Sequence, residues 1–307
     1  MIDLTLYAIP AFFVTMFGEQ RLLRTRPDKK GYERRDTVAS LTMGVVNSLI
    51  NLGMKGVDFL VLTWISGFAP WHLDPWSWQS VVLGIVAVDF CYYWFHRLSH
   101  DVRFLWAAHV NHHSSEHYNL STALRQSWTT PFTSPVFYWP LALVGFDPLL
   151  LLSLQAVNTL YQYWIHTELI DHLGPLEAVL NTASHHRVHH GTNVEYLDRN
   201  HAGMFIVWDK LFGTFEPERV RAVYGLTKNI ETFNPVKIAF HEWAALARDV
   251  RRAKNLRETL GYLFAPPGWS PDGSTLTSDQ MRAAARSTPS VIDDSTARST
   301  SMAGSPA

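Results

Sequence analysis

Residues 76–100 read WSWQSVVLGIVAVDFCYYWFHRLSH, and this stretch decides the architecture. Up to Phe95 it is a nearly unbroken apolar run of about the ~20 residues that a helix needs to cross the hydrocarbon core of a bilayer. It then ends on His96-Arg97-Leu98-Ser99-His100. Two histidines four residues apart share one helical face, so a spanning helix delivers a pair of imidazoles to the membrane surface.

Working outward, Val38 to Phe68 is a second long apolar segment, interrupted by Lys55 and Asp58. Leu4 to Gly18 is a shorter one. Basic residues follow it instead of preceding it, and no small-x-small site separates the two, which argues for a retained anchor over a cleaved leader. Phe132 to Ile165 is apolar around Gly145-Phe146-Asp147-Pro148, a turn signal that predicts two antiparallel helices. Trp64, Trp71, Trp76 and Trp78 stand near the ends of apolar runs, where indoles favour the membrane interface. Arg21, Arg24, Arg26, Lys29, Lys30, Arg34 and Arg35 make the loop after the first anchor strongly basic, which places it in the cytoplasm. A single crossing by Val38 to Phe68 then puts every histidine cluster on the cytoplasmic side; two crossings would invert this.

Beyond His166 no run is long enough to span, and Asn234 to Arg252 has helical amphipathic periodicity, as expected of a cap beneath the membrane. From Pro266 onward Pro, Gly, Ser and Thr dominate, which predicts a disordered tail. The expected fold class is all-α: polytopic transmembrane helices with a cytoplasmic helical cap carrying a histidine-box di-metal site. The divisions are 1–36, an N-terminal anchor and basic loop; 37–265, the membrane-embedded domain with its cap; and 266–307, the tail.

Composition narrows the chemistry. Charged residues make up 17% of the 307, against about 25% in an average soluble domain. A formal net charge of −1 gives no basic field to attract nucleic acid. The single cysteine, Cys91, excludes an internal disulfide, a cysteine zinc site and a four-cysteine iron–sulfur cluster. Any metal is therefore held by nitrogen and oxygen, and there are 15 histidines to supply the nitrogen.

Nine residues after His100 comes His109-Val110-Asn111-His112-His113, and His186-Arg187-Val188-His189-His190 repeats the pattern. Positions i, i+3 and i+4 share a helical face, so each H-x-x-H-H motif is expected to converge three imidazoles on one point. His166, after the returning hairpin, comes down beside them. Crowding these rings without metal would leave their lone pairs unsatisfied. The candidate ligands are His96, His100, His109, His112, His113, His166, His186, His189 and His190. They exceed what one ion coordinates, so two metals are implied, and imidazole alone does not choose among zinc, copper, iron and nickel. H-E-x-x-H, the common hydrolytic zinc signature, is absent. Neutral ligands also call for carboxylates beside the rings to accept their N–H bonds; Asp89, Glu116, Glu168 and Asp171 are the candidates. His185 and His201 could ligate or simply be buried. His72, His117, His172 and His241 read as ordinary histidines.

With these motifs in place, the chain from about Asp89 to Phe215 resembles the sterol desaturase and fatty acid hydroxylase superfamily of membrane-bound histidine-box proteins. The flanks add to the likeness: Tyr92-Tyr93, Asn119-Leu120-Ser121-Thr122-Ala123-Leu124-Arg125-Gln126, Trp164-Ile165-His166-Thr167-Glu168, and Trp208-Asp209-Lys210-Leu211-Phe212-Gly213. They look like the branch that contains bacterial sterol C5-desaturase-like proteins and alkylglycerol monooxygenases. The resemblance implies two iron ions, O2 as co-substrate and a membrane lipid or sterol as substrate. Where the fatty acid hydroxylase branch carries a further histidine, this chain has Ile170, so the ligand set is smaller or His185 compensates. Asp198-Arg199-Asn200 is also similar to the family pattern, making Asn200 a candidate neighbour of a metal-bound water or a turn former.

The implied reaction is oxidation of a lipid C–H bond, giving a double bond or an alcohol. Electrons come from outside, since there is neither an iron–sulfur cysteine set nor a Gly-x-Gly-x-x-Gly loop. A separate electron-donor protein is the default. Arg125 is a candidate contact for a lipid phosphate or that donor. A sterol desaturase or lipid hydroxylase is the first reading. An alkylglycerol (ether lipid) monooxygenase using a tetrahydropterin is the second, and a metal carrier or channel the third.

Overall fold

The computed structural model describes residues 4–287. Helix α1 (Ile9–Leu23) is followed by α2 (Arg34–Ser66) and α3 (Trp78–Asp101). At 1.5 Å per residue α2 and α3 are about 50 and about 36 Å long, and both are apolar enough to cross a membrane. α2 is one continuous helix, so the stretch 38–68 contains no second crossing. Its outer face carries Val45, Leu49, Leu52, Leu60 and Trp64, all between 60% and 68% exposed. That much contiguous apolar surface marks a lipid or protein contact.

The inner faces meet in a core formed by Leu62 and Ile65 of α2, Val88 and Cys91 of α3, and Leu151, Leu152 and Leu154 of α5 (Pro148–Trp164). Gly84 allows that packing, because a Cβ there would lie 2.5 Å from Leu154 Cδ1. The Gly145–Pro148 turn forms as expected. Gly145 takes φ +98°, a Cβ on it would strike the Trp71 carbonyl at 2.5 Å, and Asp147 caps α5 by accepting from the Leu149 and Leu150 amides at 2.8 and 2.9 Å. The limb before the turn differs from the expected helix. Pro131, Pro135 and Pro140 break it into short pieces, Thr130–Thr133, Pro135–Phe137 and Trp139–Leu143, since each proline lacks an N–H and crowds the preceding turn.

The histidine motifs lie on two short helices, α4 (Val110–His113) and α6 (Ala183–His189). Among the described residues there is no strand, only two isolated bridges, Leu180 with Phe205 and Gly191 with Tyr224. The expected amphipathic cap helix is α7 (Pro235–Arg252), begun by Asn234, which accepts from the Val236 and Lys237 amides. α8 (Leu256–Phe264) and α9 (Ser278–Ser287) follow.

Residues 266–287 of the expected tail are ordered and end in α9. Trp269 packs on Gly261 and stands edge-on to Tyr262 at 5.4 Å. Arg282 on α9 donates to the Leu197 carbonyl. Residues 266–287 thus form a strap against the cap, held by the Trp269 indole, the Arg282 guanidinium and a hydrogen bond between Ser278 and Asp198; 288–307 lie outside the described residues.

Candidate metal centre

α3 ends with His96 and His100 stacked one turn apart. The chain bends at Val102 and passes through a short helix, Arg103–Ala107, to α4, with His109 at its start and His112 and His113 inside it. His166 follows the end of α5, and α6 supplies His186 and His189, with His190 just past its last residue. All nine rings are buried. Their ligand atoms fall into two groups, each within 4.8 Å: His96, His100, His109, His113 and His189 in one, His112, His166, His186 and His190 in the other.

Each H-x-x-H-H motif is therefore divided between the groups, where one point of convergence had been expected. The i and i+4 rings stay together and the i+3 ring crosses over. Helical geometry gives the reason: i and i+4 differ by about 40° around the axis, whereas i+3 and i+4 stand about 100° apart. His109 and His113 serve the first group and His112 the second; His186 and His190 serve the second and His189 the first.

The Nε2 atoms of His96 and His109 lie 3.0 Å apart, those of His109 and His113 3.1 Å, those of His112 and His166 3.1 Å, and those of His166 and His186 3.0 Å. Two nitrogens at right angles on one ion, with bonds of about 2.1 Å, would stand about 3.0 Å apart. The opposite ring nitrogens are held by the protein. His96 Nδ1 donates to the His201 carbonyl at 2.7 Å, His166 Nδ1 to that of Gln162 at 2.7 Å, and His189 Nδ1 to that of Arg199 at 2.9 Å. His100 Nδ1 donates to Asp198 Oδ1 at 3.1 Å. These bonds fix the tautomer that turns Nε2 inward. Nε2 of His100, His189 and His190 is buried with no hydrogen-bond partner, an arrangement that a metal ion would satisfy. Burial holds the imidazoles of His109, His113, His166, His186, His189 and His190 well below their ordinary protonation range and brings His112 down to about 4. They are neutral at pH 7, as ligation requires.

Of the carboxylates expected beside the rings, none touches one. Asp89 is buried but accepts from the Met204 and Phe205 amides, the Trp208 indole and Asn158. Glu168 is buried against Arg221 and Tyr224. Glu116 and Asp171 are exposed. The carboxylate that meets a ligand ring is Asp198, in the motif whose asparagine attracted notice instead. Asn200 spends its amide on the His185 and Glu216 carbonyls and the Glu216 amide. Asp198 and Asn200 take φ +51° and +56°, a conformation that Asp and Asn tolerate better than most residues. Between and after them, Arg199 and His201 present their carbonyls to ligand rings. The signal in the sequence was the D-x-N spacing itself.

Arg125 is neither at a lipid surface nor on a helix exterior. It is a buried ion pair with Asp36 of α2, and it also donates to Ser40 and to Ser114, the residue after His113. Arg187, inside the third motif, forms a two-pronged pair with Glu218 and donates to the Thr167 and Ile170 carbonyls, tying α6 to the segment after His166. His185 faces Glu177 and His201 packs beside His96 and His100; neither belongs to a ligand group. The position occupied by Ile170 is thus not replaced by His185.

The fold and site define an all-α protein with two membrane-length helices and buried imidazoles arranged for two metal ions. Residues 81–214 match the fatty acid hydroxylase family. The chain is 46% identical over 241 residues to a human alkylglycerol monooxygenase, covering 77% of this chain and 53% of that protein. It is 42% identical over 269 residues to the one from Danio rerio, covering 86% and 59%. An ornithine lipid hydroxylase of Rhizobium tropici is 31% identical over 148 residues, 47% of this chain and 45% of that one. No solved structure matches. The chain belongs to the fatty acid hydroxylase superfamily, and it spans about half the length of the curated relatives it matches.

Proposed function

We propose that this protein is an O2-dependent di-iron oxidoreductase that hydroxylates the ether-linked carbon of an alkylglycerol lipid, with a tetrahydropterin as electron donor. The relatives favour this ether-lipid reading over the sterol desaturase that came first from sequence. The observation that carries it is the pair of buried histidine groups. Two iron ions held by the nine imidazoles would supply the activation of O2. One oxygen atom enters the C–H bond beside the ether oxygen; two electrons and two protons carry the other to water. The resulting hemiacetal breaks its C–O bond, releasing a fatty aldehyde and a free glycerol hydroxyl.

The chain's own part is positional. The carbonyls of Gln162, Arg199 and His201 and the carboxylate of Asp198 hold ligand rings at fixed angles, and the burial of all nine rings keeps bulk water from the reacting atoms. The apolar faces of α2 and α3 suit a lipid approaching laterally. We read residues 37–265 as one multi-pass, membrane-embedded domain behind an N-terminal anchor, its histidines on the cytoplasmic side with the basic loop. In a sealed membrane, introduced labels at 21–35 and at 184–191 then react from the same side.

The test supplies iron-loaded protein in bilayers with O2, an alkylglycerol and a tetrahydropterin. Fatty aldehyde should appear, one per O2 consumed, and a sterol offered in place of the ether lipid should remain unchanged. A new sterol double bond, or no O2 uptake with either lipid, would end this reading.

A further inference from the structure

A cavity of about 670 Å³ lies between the histidine centre and the C-terminal helices, inside the roughly 300–1,000 Å³ range of small-molecule sites. Its floor is the rings of His100, His113, His189 and His190, drawn from both ligand groups. Trp106 borders the same floor, 5.0 Å from the His100 ring and 5.6 Å from that of His113.

The opposite wall is polar. α7 presents Glu242 and Asp249, both paired with Arg103, at 2.8 and 2.7 Å, and Arg248 lines the cavity beside them. The strap closes it with Trp269 and Thr275. Carboxylates and guanidinium groups on one side and indoles on two others suit a flat, hydrogen-bonding ring system. A hydrocarbon chain would have to lie against those charges and strip their solvation.

Hydrocarbon has another place to go. A separate crevice of about 770 Å³ is lined by Phe104, Phe132, Val136, Phe137, Phe240 and Trp243, with Thr129 and Thr133 among its few polar neighbours. Phe137 packs on Phe95 at 5.4 Å, the residue before His96, so this apolar crevice abuts α3 next to a ligand residue. The two openings differ in charge: Arg103, Arg248, Glu242 and Asp249 line the first and no charged residue lines the second, and only the first is floored by ligand rings.

We infer that the polar cavity is the binding site for the electron donor, a small planar heterocycle of the reduced pterin class. It enters from the cap side, under the strap, and seats against the ligand rings while the lipid approaches from the apolar side. This assignment rests on the ether-lipid reading. The donor gives two electrons and two protons and leaves as its two-electron-oxidised form; one oxygen atom of O2 becomes water and the other enters the lipid C–H bond. The cavity holds one small molecule, and the strap stands between a donor protein and the rings.

The experiment measures binding of 6-methyltetrahydropterin to the full chain in lipid nanodiscs, by equilibrium dialysis under argon with zinc as a redox-silent metal. Turnover is measured separately on the iron-loaded protein. Ala245→Phe on α7 and Thr275→Trp on the strap fill the cavity without replacing a ligand histidine. Each should weaken pterin binding roughly tenfold or more, the scale of forcing volume into a filled site, and raise KM for the pterin while KM for the lipid and metal content hold. Phe240→Ala, in the apolar crevice, should raise KM for the lipid and leave pterin binding alone. Because Thr275 is exposed, its variant remains informative even when Ala245→Phe fails to fold. Wild-type pterin binding in both cavity variants, or its loss in Phe240→Ala instead, overturns the assignment. If the cavity variants lose binding but iron-loaded wild type yields no aldehyde with pterin or with dithionite, the site stands and the ether-lipid reading falls.

Discussion

The two long apolar helices and the histidine-bearing segment are held together in opposite ways. α2 and α3 are long, regular and apolar, and their mutual packing rests on side chains such as Leu62, Ile65, Val88 and Leu154. Between Val102 and Gly225 the chain forms only short helices apart from α5, and α4 and α6 have four and seven residues. Helices that short do not persist on their own. Their order comes from buried polar contacts: Arg125 with Asp36, Arg187 with Glu218, Asp209 with the His201 and Ala202 amides. The candidate metal centre therefore depends on buried polar pairs between residues far apart in the chain, while the helices beside it rest on apolar packing.

The largest break in that contrast is expected from His189→Ala. It removes the ring that crosses from the third motif to the first ligand group, so metal binding and turnover should fall by more than ~100-fold, beyond the range seen for residues that only support a ligand. Membrane insertion and most helical signal should persist, and His72→Ala, at an exposed loop position, serves as control. Retention of two metals by His189→Ala would contradict the division of the motifs.

Asp36→Ala strikes the lattice where it joins α2. It leaves the Arg125 guanidinium buried without its carboxylate, a loss of about 3–5 kcal/mol that denaturant unfolding in detergent would register. Replacing both partners, as Asp36→Leu with Arg125→Met, should recover much of it. A single variant no less stable than the double one would mean that the pair does not secure the second motif.

A smaller effect follows from Asp198→Asn, which keeps the shape but weakens the acceptor for His100. Burial alone would raise the Asp198 carboxyl, yet hydrogen bonds from His100 and Ser278 and the charge of Arg282 bring it below its ordinary value. Metal affinity should drop by roughly 10–100-fold, measured by competition with a chelator. Unchanged affinity would assign Asp198 to the strap alone.

The mildest lever is acid acting on metal-free protein. With the folded imidazole of His112 at about 4 and that of an unfolded chain near 6.5, the unfolded state binds more protons between those values. Stability should therefore decline as pH falls from about 6.5 toward 4. The cap should become sensitive to protease before α2 and α3 lose helicity, and loss of both together would erase the contrast.

Much of this was legible in the residue order. The nine histidines, the turn at Gly145–Pro148 and the cap helix capped by Asn234 follow from spacing and local chemistry, because each involves residues within a few positions of one another. What escaped the sequence depends on distance along the chain. Asp36 and Arg125 are 89 residues apart, and nothing local marks either as the other's partner. Asp89 is a plausible support for a ring by sequence, since it lies two turns before His96 on the same helical face, but its carboxylate is taken by the amides of 204 and 205, reached only through the fold. The strap is not legible because Pro, Gly and Ser signal disorder by composition, while the contacts that dock it, Trp269 on Gly261 and Arg282 on the Leu197 carbonyl, join residues that composition does not relate.

The crossing of each motif's middle ring has a consequence for how such a centre can arise and change. Since α4 and α6 each contribute to both ion positions, neither is a self-contained cassette that could be duplicated, transplanted or discarded to yield a working one-metal ancestor. The first ion to bind would also arrange three of the four residues around the second, through His109 and His113 on α4 and His189 on α6, whose neighbours His112, His186 and His190 make up the rest with His166. Loading should then be cooperative, and descendants of this chain should lose their two metals together or not at all.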